Sequence, residues 1–207
     1  MKSLGQRMVF VDLELVGRET ARRIIQVAAI ALDCDLDELE AFEAKLRFDR
    51  RRADHRSRAR LRDCQQTWRI QARPAREVAC DFVRFIRRHA TIKRMASDGS
   101  GDWSAQLVMH NATVDGPVLQ RWLEWSGEPV PGTDRPLCLT QRACWLFQEQ
   151  QNLTPPIDFQ LGTLCNYFNL PLNDETAFNA LARLRTTVEL YRRMSLLEAA
   201  QCASRTF

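Results

Sequence analysis

The stretch FVDLEL, residues 10–15, sets two carboxylates, Asp12 and Glu14, two positions apart in a run of β-formers. Side chains on a strand alternate between faces, so both acids project to the same side. Neighbouring carboxylates on an otherwise apolar strand repel each other and are hard to desolvate. A divalent cation between them relieves that cost, because Mg2+ and Mn2+ prefer hard oxygen ligands. A strand end whose two acids simply face water is the competing reading of the same six residues.

Around this stretch the first third of the chain reads as strands: RMVFVDLEL (7–15), RIIQVAAIAL (23–32) and LEAFEAKLRF (39–48), with short connections that imply an antiparallel meander. Residues 49–73 are charged and lack a clear period, which implies an extended connection with some helix. In PAREVACDFVRFIRRH (74–89), Val78, Phe82, Phe85 and Ile86 fall on one helical face, with Pro74 near the first turn. ASDGSGDWS (96–104) reads as a loop, QLVMH (106–110) as a short buried strand and TVDGPVLQRWLEWSG (113–127) as a helix ending near Gly127. LCLTQRACWLFQEQ (137–150) is a strand turning into a helix, FQLGTLCNYFNL (159–170) a further helix, and 176–200 the closing one. This order predicts an α/β fold, a mixed sheet with helices on its faces, as one domain over 1–207.

Composition narrows the classes. The hydrophobic fraction of 45% and charged fraction of 27% are those of a soluble globular protein. The run VAAIAL (27–32) is far too short to span a membrane, and the N-terminal residues lack a signal-peptide layout, so a cytoplasmic location without membrane contact is expected. Seven scattered cysteines, with no CxxC pair, argue for reduced thiols and against a zinc finger or disulfide framework. Of 30 basic residues, 27 are arginine, a bias that favours forked phosphate contacts and base stacking but that a biased genome would also produce.

A second element, LVMHNATVDGPVLQRWL (107–123), runs from a strand through a His110-Asn111 turn into a helix whose first turn carries Asp115. Alone, Asp115 is an acid favoured by the helix dipole. Together, the two elements resemble the DnaQ-like 3′–5′ exonucleases, the DEDDh branch of the DEDD superfamily. Asp12 and Glu14 match that family's first motif and Asp115 its second, and the likeness runs in order over roughly residues 7–195.

The resemblance implies an RNase H-like core, a five-stranded mixed sheet flanked by helices with the acids at its middle. In the family, four carboxylates hold two metal ions, Mg2+ or Mn2+, that activate water and stabilise the leaving oxygen. A histidine is the general base. The resemblance further implies that Leu15, Val16, His110, Asn111 and Trp122 bind the 3′ end of a single strand. It also makes a homodimer an expectation.

The third motif departs from the pattern. In the family it reads His-x-Ala-x-x-Asp-Ala; here FNALARLRTT (178–187) puts Phe178 at the histidine and Arg183 at the aspartate. The branch that uses tyrosine in this motif offers no rescue, since residue 179 is Asn. Phe178 cannot accept a proton, and general-base catalysis is worth about 10²–10⁴ in rate. Arg183 exchanges a metal ligand for a fixed cation, which would take the space and the electrostatic role of the metal beside Asp12 and Glu14. The expectation is a pseudo-exonuclease with its fold and binding groove retained, its metal weak or lost. Slow cleavage by one weak metal on Asp12, Glu14 and Asp115 is the alternative.

RFDRRRADHRSRARLR (47–62) holds eight arginines in sixteen residues. Arg50, Arg51, Arg52, Arg56 and Arg58 within it would track phosphates and give salt-sensitive, sequence-independent affinity. A solvated linker paired with local acids is the plainer reading. A different class is an accessory or scaffold subunit of a polymerase, integrase or CRISPR-type complex, with the arginine run against a protein partner.

Overall fold

A computed structural model describes residues 6–17, 22–49, 68, 70–95, 101–128, 135–150, 152–172 and 179–204, with side chains through Ala200. Strand β1 (Met8–Val16) is central in a five-stranded sheet whose other members are β2 (Arg23–Leu32), β3 (Glu38–Lys45), β6 (Gln106–Met109) and β7 (Leu137–Cys138), in the order β3-β2-β1-β6-β7. The first three strands form the expected antiparallel meander, whereas β6 runs parallel to β1 and β7 parallel to β6, so the sheet is mixed. With helices on both faces, this is an RNase H-like α/β fold.

Alternation along β1 separates two cores. Val9, Val11 and Leu13 enter a cluster with Val78, Phe82, Phe85 and Ile86 of helix α1 (Ala75–Arg88) and with Val118, Leu119, Trp122 and Leu123 of α2 (Ala112–Ser126). The helical face expected on α1 is therefore the buried one, and Pro74 precedes its first turn. Burying a side chain such as Phe82 fully is worth roughly 1.5–3 kcal/mol. Phe10 turns to the other face, into a cluster with residues of α3 (Leu139–Glu149), α4 (Leu161–Tyr167) and α5 (Ala180–Ser204). Asp12 and Glu14 continue the Phe10 register, so the sheet aims both acids toward the α5 side.

The loop expected over 96–104 is a correction in part. Gly101–Ser104 forms strand β5, paired antiparallel with β4 (Ile92–Met95) as a two-stranded ribbon, with Trp103 and Met95 exposed on it. Gly101 permits the close pairing, since a Cβ there would stand 3.2 Å from the Arg94 carbonyl oxygen. The Gly/Ser/Asp composition hides a strand that is held by cross-strand hydrogen bonds instead of by apolar alternation. Gly127 closes α2 as expected: it lies at φ 77°, in the left-handed conformation glycine adopts without penalty, and its N–H donates to the Glu124 carbonyl at 3.0 Å.

A candidate site built around Arg183

Three elements converge at the C-terminal end of β1. The first is β1 itself, whose register with β2 shifts between Glu14 and Leu15, just past the two acids, so that Ile25 of β2 is left out of the pairing as a β-bulge. Bulges of this kind bend a strand and re-aim its side chains. The second is the β6–α2 junction, where Thr140 donates to the His110 carbonyl from both its backbone N–H (2.9 Å) and its hydroxyl (2.8 Å). Asn111 is the residue preceding α2, and Asp115 sits in that helix's first turn. The third is the start of α5, where the Asn179 side-chain oxygen accepts the Ala182 N–H at 3.0 Å, an N-cap that sets where the helix begins.

From that start, Ala180, Leu184 and Val188 pack into the core and carry Arg183 over Asp12. Arg183 Nη2 lies 2.5 Å from Asp12 Oδ2 and 3.2 Å from Glu14 Oε2, and its Nε donates to Asp12 Oδ2 at 3.0 Å. All three side chains are largely withdrawn from solvent, at 14%, 17% and 21% exposure respectively.

The electrostatics follow from burial and from this cation. Burial pushes the Asp12 carboxyl up, while the charge and hydrogen bonds of Arg183 pull it back down. Burial alone would lower the Arg183 guanidinium, but Asp12 and Glu14 outweigh it and hold it above its ordinary value. Asp115 is pushed up to about 7 by burial and then by the Asp12 charge, against the lowering effects of Arg183 and Arg22. Burial also lowers His110, so its imidazole is neutral at pH 7; its Nε2 is enclosed without a hydrogen-bond partner.

As they stand, these residues do not fit a divalent cation. A cation between Asp12 and Glu14 would lie against the guanidinium already there. At about 4 Å and an effective dielectric of about 20, the repulsion between a divalent and a monovalent cation is on the order of 8 kcal/mol. Among the described residues, no three His, Cys, Asp or Glu side chains are grouped to hold a metal ion.

The expected binding residues do not all reach a surface. Leu15 is partly buried against the α1–α2 core, while Val16 is buried with Ile25, Phe48 and Trp68. Trp122 is also buried, its ring centroid 5.9 Å from that of Phe82; the exposed tryptophan of α2 is Trp125. Val16 was taken by the apolar core, which outcompetes an open groove for such side chains, whereas Trp122, though mostly buried, still lines the groove described next. Phe178 and Arg50, Arg51, Arg52, Arg56 and Arg58 lie outside the described residues.

Sequence reasoning missed a groove of about 790 Å3 between the start of β2, the segment after β3, and α2. Arg22, Arg23, Arg47 and Arg121 line it together with Phe48 and Trp125. Arg47, Phe48 and Asp49 open the arginine run of 47–62 already read as a phosphate-tracking surface; for the remaining lining, which comes from separate stretches, the arginine bias was the sequence signal.

The sheet order and the two helical layers define an RNase H-like fold. No family model matches the sequence, and no curated protein does. Among solved structures, the chain is similar to cell-death related nuclease 4 (CRN-4), with a TM-score of 0.70 and 13% identity over 94% of this chain and 65% of that one. It is also similar to E. coli Exonuclease I in complex with a dT13 oligonucleotide, with a TM-score of 0.71 and 15% identity over 96% of this chain and 43% of that one. A third likeness is to the nuclease domain of 3′hExo, a DEDDh family member, bound to rAMP: TM-score 0.63 and 10% identity over 95% of this chain and 94% of that one. The chain thus spans just under two thirds of the first of these proteins and under half of the second. At such identities the likeness establishes the fold. Among the described residues, no helix is long and apolar enough to cross a membrane.

Proposed function

We propose that this chain is a nucleic-acid-binding DnaQ-like exonuclease homologue in which hydrolysis is lost or strongly reduced, a pseudo-exonuclease formed as one domain over 1–207. The observation that carries the reading is the Arg183 guanidinium seated on Asp12 and Glu14, where the family pattern has a metal-bound aspartate. An internal cation permanently offsets one of the two strand charges and fills the space between the carboxylates, and so reduces both the need and the room for a catalytic ion. Phe178, at the general-base position, removes the proton acceptor as well.

Support for nucleic acid as the ligand comes from the fold shared with a structure holding a dT13 oligonucleotide and another holding rAMP, and from the arginine-lined groove along α2, the helix whose first turn carries Asp115. On this reading, the 3′ end of a single strand sits near Leu15, His110 and Asn111, and the arginine run of 47–62 adds non-specific affinity. The chain would then act by occupying or presenting 3′ ends, alone or as the accessory subunit of a nucleic-acid-processing complex.

The test is a labelled single-stranded oligonucleotide with Mn2+. The parent is expected to bind it with an affinity that falls steeply with salt, and to leave it intact. The double variant Phe178→His, Arg183→Asp is expected to shorten it from the 3′ end at least about 10²-fold faster than the parent. Robust Mn2+-dependent degradation by the parent, abolished by Asp12→Ala, would overturn the proposal.

A further inference from the structure

The groove described above is separate from the carboxylate cluster. Its lining includes Val118, Arg121, Trp122 and Trp125, successive positions on one face of α2, and that face meets the start of β2 and the residues after β3. Asp115 lies on the same helix ten residues before Trp125, so the groove leads about 15 Å along the α2 axis away from the acids. Arg22 links the two places: it lines the groove, and its charge lowers the Asp115 carboxyl.

The lining has the chemistry of a base-stacking phosphate track. Among the described residues of the lining, four arginines face two acids, Asp49 and Glu124. Trp125, at 65% exposure, carries the Arg76 guanidinium 5.6 Å from its ring centroid, while Phe48 contributes a second, partly buried ring. Fixed guanidinium groups beside an exposed indole face suit a polyanion that also carries planar rings. A purely acidic peptide would leave the indole unused, and a duplex would keep its rings stacked on each other.

We infer that this groove is an upstream track for single-stranded nucleic acid, in which Trp125 stacks a base several nucleotides from the 3′ end and Arg22 and Arg23 hold backbone phosphates. The inference rests on the reading of the chain as a binder of nucleic acid, and it adds a second contact zone that does not use Asp12, Glu14 or Arg183. The track makes affinity depend on strand length: a trinucleotide ends short of Trp125, and a decanucleotide reaches it.

Fluorescence anisotropy with 5′-labelled dT3 and dT10, plus a dT10 analogue abasic at its upstream positions, tests this. Trp125→Ala is expected to weaken dT10 binding roughly 5- to 150-fold, the range found for removing one base-stacking aromatic, and Trp125→Phe to restore most of it. The same change is expected to leave dT3 and the abasic strand within about 3-fold of the parent. Arg23→Ala is expected to lower the salt slope for dT10 by about one, without affecting dT3. If the parent binds dT10 and Trp125→Ala binds it equally well, or loses dT3 to the same degree, the track is refuted while nucleic-acid binding stands. If the parent binds none of the strands, both readings fall together.

Discussion

Replacing Arg183 by methionine is expected to cost about 3–5 kcal/mol of folding stability at neutral pH, the range for stranding one half of a buried ion pair. The guanidinium gives Asp12 Oδ2 two donors and Glu14 Oε2 a third, with all three side chains at least 79% withdrawn from water. Methionine fills similar volume and takes the guanidinium away from both carboxylates. Asp12 is already raised by burial with the cation present, so without it the folded-state value rises further. A carboxyl raised in the folded state penalises folding above that value and loses the penalty as pH falls toward its unfolded one. Urea denaturation should therefore show a large deficit at pH 8 that shrinks toward pH 4. The triple variant Asp12→Asn, Glu14→Gln, Arg183→Met should recover most of the loss, because removing all three charges costs far less than removing the cation alone. A single variant as stable as the parent at pH 8 would mean that the pair contributes nothing.

Asp115 sets the second large effect. Its carboxyl moves from 3.8 to about 7, mainly by burial, with the Asp12 charge adding to it. At 1.36 kcal/mol per pH unit, that shift corresponds to at most roughly 4 kcal/mol. Between those two values the folded protein holds the proton more tightly than the unfolded chain does. Stability therefore falls as pH rises through that window and levels off above about 7. Asp115→Asn should remove this part of the slope, stabilising the protein by a few kcal/mol at pH 8 and changing little at pH 4. Denaturation midpoints at pH 4, 6 and 8 measure it, and an unchanged slope in Asp115→Asn would assign the pH dependence to other groups.

The parts of the site legible in the sequence are those carried by short-range patterns. Two acids at spacing two on a β-rich run, and an acid one turn into a helix after a buried strand, each specify a local geometry before any tertiary contact. The match of FNALARLRTT to a third motif placed Arg183 opposite those acids, and α5 does carry it there.

What escaped notice depends on packing between distant stretches. Nothing local says which face of α2 the core will claim; Phe82 claims Trp122, leaving Trp125 outside. The β4–β5 ribbon is polar and glycine-bearing, so its strand character lies in pairing partners instead of composition. The groove exists only once residues 22–24, 46–49 and 118–125 are brought together by the sheet and α2.

The central claim is that Arg183 occupies the place of a catalytic cation. Titration of Mn2+ into the protein, followed by electron paramagnetic resonance of the free ion and by thermal unfolding, tests it most directly. The account predicts no saturable binding and no change of Tm for the parent up to millimolar Mn2+. Arg183→Asp is predicted to take up Mn2+ stoichiometrically, with a rise in Tm that Asp12→Ala abolishes. Stoichiometric uptake by the parent that is lost in Asp12→Ala would contradict it.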